Sequence, residues 1–479
     1  MLFNSIAFLV FLPIVFICYW FIFKKLNAQN FFVLVASYVF YGWWDWRFLG
    51  LILLTTFLSY LSGLLIEKYE GKRNKQKLVS AVNIIVNLGI LGFFKYFNFF
   101  AESMAQLLGL FGVTMDAITV KVILPVGVSF YTFQALSYSI DVYKGKLAAS
   151  KSFVNFAAYL SFFPQLVAGP IERATNLLPQ FQKERHFDYK DAVDGCRHML
   201  WGFFKKIVIA DNCAVTVNQI FANWQNCDGT TLIIGAFLFT FQIYGDFSGY
   251  SDIAIGTAKL FGVQLMTNFN LPYFSRNPRE FWSKWHISLT SWFTDYIYIP
   301  LGGNRKGTGR TILNSAIVFA LCGLWHGANW TFVMWGLYHA FLFLVFILLG
   351  INIKYKTIVA PGKILPSIKE FLQMLMTFCL ALIGWVIFRA TTVSQAFGYI
   401  GGMFTAKHVA GLPIGKKSII LVLVMVIIEW LQRDKRHPLQ FDAYIKNRAL
   451  RWAIYYIMLD CDSILGWQER IIHLFPILT

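Results

Sequence analysis

The sequence predicts an all-α, polytopic integral membrane protein of about 11–12 spans with broken or re-entrant helices among them. Three observations lead there. The 479 residues are 57% hydrophobic and only 14% charged. Several uninterrupted apolar runs, such as 2–23, 78–100 and 371–388, are of the length that crosses a bilayer core as a helix, about 20 residues. The runs are also continuous rather than alternating, which favours helices over a barrel, since either must satisfy its backbone polar groups internally.

Along the chain, the spans read as 2–23, 30–46, 48–66, 78–100, 119–142, 197–222, 230–262, 311–328, 330–349, 371–390, 417–432 and 449–466. The first run follows Met1 directly, has no basic segment before it and no cleavage site, and reads as a retained span. Segments 153–179 and 271–300 are apolar but interrupted by Pro164, Pro170, Pro179, Pro272, Pro278 and Pro300. Broken backbone at membrane depth is tolerated where it is buried in protein or lines a cavity, so the working parts are expected there. Basic residues gather in the loops around Arg73, Lys146, Arg173, Arg276, Arg305 and Arg433. Placing these loops in the cytoplasm puts the N-terminus outside. With no internal repeat and no low-complexity linker, residues 1–479 read as one membrane domain with its core at about 120–350, and the tail 460–479, interrupted by Asp460, Asp462, Glu469 and Arg470, is atypical.

The net charge of +18 is explained by those loops. The aromatic residues lie in the spans rather than among the basic ones, and no RNA-binding signature is present, so no nucleic-acid partner is expected. The seven cysteines form no C-x-x-C pair, and no metal is indicated. There is no G-x-S-x-G elbow and no H-E-x-x-H pair. Residues 411–418 resemble a phosphate loop one residue too short and read as a turn before a span.

Two histidines stand out. From Ile312 to Gly350 the ionisable side chains are Cys322, His326, Tyr338 and His339 alone. An ionisable group at bilayer depth is costly and marks a cavity or pathway, and an imidazole can exchange a proton near neutral pH. Gly323 and Gly327 allow close approach of backbone or substrate to His326, and Trp325 and Trp330 can wall a pocket. The plainer alternative is a buried histidine donating to a carbonyl. His339 reads as a packing histidine. In Arg279–Phe293, read as one helix, Trp282, Trp285, His286, Leu289, Trp292 and Phe293 share a face. That stripe is either aromatic packing with one tolerated histidine or a second catalytic group, and Asp295 falls on the opposite side. An embedded histidine without metal, nucleophile motif or ATP site suits acyl transfer: the base takes a proton from a hydroxyl as it attacks an already activated thioester.

Six ordered motifs carry a resemblance. They are Leu124–Gln134, Phe163–Ile171, Gly245–Asp252, Trp285–Leu289, Asp295–Gly303 and Trp325–Gly327. With them the chain resembles, from about residue 1 to 450, the membrane-bound O-acyltransferase family and, within it, the bacterial alginate O-acetylation branch. The resemblance implies a ring of helices around a central tunnel in the bacterial inner membrane, His326 as the principal catalytic residue and His286 as the second. It implies no bound cofactor, a donor that is acetyl-CoA or an acyl carrier thioester, a polysaccharide acceptor, and a periplasmic or membrane-anchored partner acetyltransferase.

On this reading His326 is general base, while His286 positions the thioester carbonyl or the acceptor, or shares the proton work. Trp282, Trp285, Trp325 and Trp330 exclude water, with Asn329 beside them. Asp246, Ser248, Tyr250 and Asp295 are supporting candidates, with helix packing the competing role for each. Competing functions are a D-alanyl transferase of the teichoic-acid type, a polysaccharide or lipid transporter, and a scaffold for a secretion complex. The acceptor is open among alginate, cellulose, peptidoglycan and other glycans.

Overall fold

The computed structural model describes residues 1–113, 119–120, 125–167, 169–351, 353–355, 357–405, 415–441 and 445–466. Leu124 and Ala168 of the signature motifs, residues 411–414 of the phosphate-loop-like turn, and the tail from 467 onward lie outside these. Among the described residues every regular element is a helix. Six are long and apolar enough to span a membrane: Trp46–Lys68, Arg73–Leu110, Gly229–Leu260, Gly307–His326, Trp330–Leu348 and Ile368–Arg389. The other expected spans are helical but shorter, interrupted or less apolar. The run 2–23 becomes Ile6–Ile17 continued by a π-helix, Cys18–Ile22, and 197–222 becomes Tyr189–Phe203, a π-helix Phe204–Ala210 and Asp211–Ala222. Both proline-interrupted segments break into short helices, Phe153–Ser161, Phe163–Leu166 and Ala174–Phe181 in one, and Pro272–Phe274, Pro278–Lys284, Ile287–Phe293 and Thr294–Tyr298 in the other.

The described residues form two compact units, drawn from 1–192 with 257–266 and from 193–256 with 267–477. In the first, Gly127 takes a left-handed conformation (φ 75°) to start the helix Val128–Tyr143. A Cβ there would lie 2.4 Å from the Leu166 carbonyl oxygen. Two of the signature motifs, around Gly127 and Leu166, therefore pack directly on one another, and the Tyr41 hydroxyl donates to the Val126 carbonyl at 2.8 Å. These motifs build scaffold.

The second unit holds the residues of catalytic interest. Its helix Gly229–Leu260 carries Gly245-Asp246-Phe247-Ser248-Gly249-Tyr250-Ser251-Asp252, which resolves into four pairs spaced i, i+4, each pair on its own face. Gly245 and Gly249 admit the backbone: a Cβ would lie 2.9 Å from Lys205 O and 2.7 Å from Gly202 O respectively. Asp246 and Tyr250 meet Lys206, whose ammonium is 2.7 Å from Asp246 and 5.7 Å from the Tyr250 ring. Ser248 and Asp252 meet Lys205, at 2.8 and 2.6 Å. Asp252 also meets His198 Nε2 at 3.2 Å. Both lysines are 3% exposed and lie on the π-helix Phe204–Ala210. The remaining pair, Phe247 and Ser251, is left to face elsewhere.

Helices Gly307–His326 and Trp330–Leu348 form a tight hairpin. A Cβ at Gly323 would stand 2.2 Å from Phe332 O, one at Gly336 2.2 Å from Phe319 O, and one at Gly327 2.2 Å from the Phe332 ring. The expected close approach at Gly323 and Gly327 is thus taken up by the partner helix. It fixes the end of the first helix, where His326 is the last helical residue.

Two outcomes follow for stability. Gly336→Val should lower the thermal midpoint of the purified protein by the equivalent of ~1–3 kcal/mol, whereas Gly309→Ala, with open space around it, should hold or raise it. Lys205→Met leaves a buried carboxylate without its lysine and should cost ~3–5 kcal/mol, with substantial recovery in the Lys205→Met/Asp252→Leu double variant. Equal midpoints in all variants would contradict both packing assignments.

Candidate active site

Local chemistry dictates where the first histidine lies. Asn277 caps the helix Pro278–Lys284, its Oδ1 accepting from Glu280 N at 2.8 Å, with proline at the first helical position. The helix ends at Trp285, which is extended, and His286 adopts a left-handed conformation (φ 45°, ψ 53°) before Ile287–Phe293 resumes. The single amphipathic helix expected over this segment is therefore corrected. Trp282 and Trp285 are carried by one helix and its exit, Leu289, Trp292 and Phe293 by another, and His286 is the joint. A left-handed non-glycine residue costs ~1–2 kcal/mol and persists where its surroundings over-determine it.

Those surroundings centre on Asn268, which is fully buried. Its backbone carbonyl accepts from Ile287 N at 2.9 Å. Its side-chain oxygen lies 3.0 Å from His286 Nδ1 and accepts from the Ser288 hydroxyl at 2.8 Å and from Ser288 N at 3.3 Å. Its amide nitrogen donates to the Ser251 hydroxyl at 2.9 Å. The His286 ring stands edge-on to Phe247, centroids 4.6 Å apart. Phe247 and Ser251, the fourth face of the Gly245–Asp252 motif, are thus the ones that reach this histidine.

His326 ends its helix half-buried, while His286 is 1% exposed. The His326 ring packs edge-on against Trp335 at 5.2 Å and Phe388 at 5.1 Å. Trp325 touches both imidazoles, with centroids 4.8 Å from His326 and 5.8 Å from His286. The two histidines, 40 positions apart in the chain, share one aromatic wall. That wall continues through Trp335 to Trp385 (5.9 Å), and Trp385 reaches Trp285 (4.6 Å). His339 is buried between Trp282 (4.9 Å) and Trp335 (5.0 Å).

Of the sequence-derived set, His286, His326, Trp285, Trp325 and Trp282 come together. Asn329 instead caps the helix Trp330–Leu348 through Thr331 N (3.0 Å) and donates to Thr391 O (3.0 Å). Trp330 is 54% exposed. Asp246, Ser248 and Tyr250 face the two lysines, and Asp295 sits half-buried in the π-helix Thr294–Tyr298. The residues that sequence reasoning missed are Asn268, Ser251, Ser288, Phe247, Trp335, Trp385 and Phe388. The i, i+4 relation of Trp335 to His339 was a visible signal, but Asn268 lies 18 positions before His286 and has no local one.

Chemically, the arrangement is a pair of imidazoles lodged in an apolar, aromatic enclosure, one half-exposed and one sealed. Such an enclosure supports proton transfer while limiting water.

A family model for MBOAT, the membrane-bound O-acyltransferase family, matches residues 38–387. The chain is 40% identical over 406 residues to the protein named "Probable alginate O-acetylase AlgI" of Azotobacter vinelandii, covering 85% of this chain and 78% of that one. It is 32% identical over 452 residues to the peptidoglycan O-acetyltransferase of Helicobacter pylori, covering 87% and 82%. It is 28% identical over 236 residues to the teichoic acid D-alanyltransferase of Bacillus subtilis, covering 45% and 57%. With its helical spans and paired histidines, the chain belongs to the membrane-bound O-acyltransferase family and is an O-acyltransferase of the membrane.

Proposed function

We propose that this protein moves an acetyl group from a cytoplasmic thioester, acetyl-CoA or an acyl carrier, across the bacterial inner membrane for O-acetylation of an extracytoplasmic polysaccharide of the alginate kind. The names of two relatives matched over most of the chain, a probable alginate O-acetylase and a peptidoglycan O-acetyltransferase, support acetyl and a glycan acceptor. The D-alanyl relative matches less than half of the chain. The basic loops support an N-terminus outside. A periplasmic or membrane-anchored acetyltransferase receives the acetyl group and delivers it to the polymer.

The single observation that carries the mechanism is the Trp325 ring in contact with both His286 and His326. His326, the more accessible imidazole, takes the proton of the acceptor hydroxyl as its oxygen attacks the thioester carbonyl carbon. The carbon–sulfur bond then breaks, and the departing thiolate recovers the proton from the imidazolium, so the histidine ends as it began. Buried Trp282, Trp285 and Trp325 limit the water that would hydrolyse the thioester. His286 acts beside it, on the carbonyl, the acceptor or the proton.

His326→Gln should lower transfer of labelled acetyl from acetyl-CoA in membranes by ~10³-fold at equal protein level, and His286→Gln by ~10²-fold, the range of a lost acid–base group. Retained transfer in His326→Gln would sink the assignment. Label that stays on acetyl-CoA with wild type, yet moves when a carrier-protein thioester is supplied, would reassign the donor.

A further inference from the structure

Resting on the acyl-transfer reading, we infer that Asn268 is a positioning residue that keeps the proton of neutral His286 on Nδ1, so that Nε2 presents a lone pair to the reaction. Ser288 N is a backbone group that can only donate. Because it points at the Asn268 side chain at 3.3 Å, the amide must turn its oxygen there and its nitrogen to Ser251. An amide oxygen can only accept, and it lies 3.0 Å from His286 Nδ1. The Ser288 hydroxyl also lies 3.4 Å from Nδ1, but it gives its hydrogen to the same amide oxygen at 2.8 Å. Nδ1 therefore carries the hydrogen, and in the neutral ring Nε2 has none.

Nε2 is buried and has no hydrogen-bond partner among the described residues. The His286 ring is surrounded by Phe247, Trp325 and Phe269, with ring centroids 4.6, 5.8 and 6.3 Å from its own. An acceptor-only nitrogen in that enclosure can take the proton of a hydroxyl or the N–H of protonated His326. It cannot donate to a thioester carbonyl. Of the roles open to His286, this selects the proton work and removes the stabilisation of the carbonyl oxygen by the neutral ring. The left-handed backbone at His286 has the same origin. Asn268 O holds Ile287 N and Asn268 Oδ1 holds Ser288, so His286, the residue just before them, is turned to bring Nδ1 onto that oxygen.

The test uses the full-length protein in nanodiscs with acetyl-CoA as donor and the partner acetyltransferase with alginate oligosaccharides as acceptor, measuring kcat, KM and their pH dependence. Asn268→Ala should lower kcat by ~10²-fold with KM for acetyl-CoA within about twofold, the cost of freeing a supporting hydrogen bond. Asn268→Asp keeps an acceptor at Nδ1 and should retain most of the rate. Its added negative charge favours the imidazolium and should move the acidic limb of the kcat profile to higher pH, by about one unit. A wild-type kcat in Asn268→Ala, or an Asn268→Asp profile that loses rate without any shift of the limb, overturns the positioning role while leaving acyl transfer intact. Should Asn268→Ala fail to fold, the Asn268→Asp profile decides alone. Turnover that survives His326→Gln overturns the functional reading and the positioning role with it.

Discussion

Two buried lysines set the register of the helix on which the site is built. Lys205 and Lys206 are neighbours on a π-helix, and each holds carboxylate or hydroxyl groups of Gly229–Leu260 within 2.8 Å. A buried charge without its partner is far more costly than the pair, so rotation or sliding of that helix is strongly opposed. With Asp246 and Tyr250 committed to one lysine, Ser248 and Asp252 to the other, and both glycines to the neighbouring backbone, Phe247 and Ser251 have one orientation left. They turn to Phe269, Asn268 and His286. Eight consecutive residues thus join an ion network to the surroundings of His286, with the division of labour dictated by helical spacing alone.

The hairpin imposes a comparable constraint on the other histidine. Glycines at 323 and 336 let two backbones meet where any Cβ would collide, and the tight turn that follows leaves His326 at a helix end. One imidazole is positioned by close packing and the other by a hydrogen-bonded, left-handed joint. Trp325, adjacent in sequence to His326 and in contact with His286, is where the two constraints meet. A histidine pair in an aromatic enclosure suits a reaction whose chief hazard is water, because the thioester needs no further activation to be hydrolysed.

Much of this was legible in the sequence, and the misses have physical causes. Continuous apolar runs announced the helical membrane class, and proline-broken segments marked where short helices would fall. His326 stood out because an imidazole amid apolar residues is rare. The joint itself was hidden: Trp285-His286 contains neither glycine nor proline, and the aromatic spacing on either side of it fits an unbroken helix. Asn268 was invisible because its role exists only once an 18-residue excursion folds back. Asp246, Ser248 and Tyr250 were visible as a motif, but only the neighbouring lysines reveal that they serve the scaffold. Trp330 looked like a pocket wall, yet the turn exposes it.

The account is tested most directly by sidedness in sealed proteoliposomes. The purified protein would be reconstituted with the partner acetyltransferase and alginate oligosaccharides trapped inside and acetyl-labelled acetyl-CoA supplied outside. The account predicts label accumulating within the vesicles while free CoA thiol appears outside, with both lost in His326→Gln. Label remaining outside, or entering equally well in the histidine variant, would contradict it.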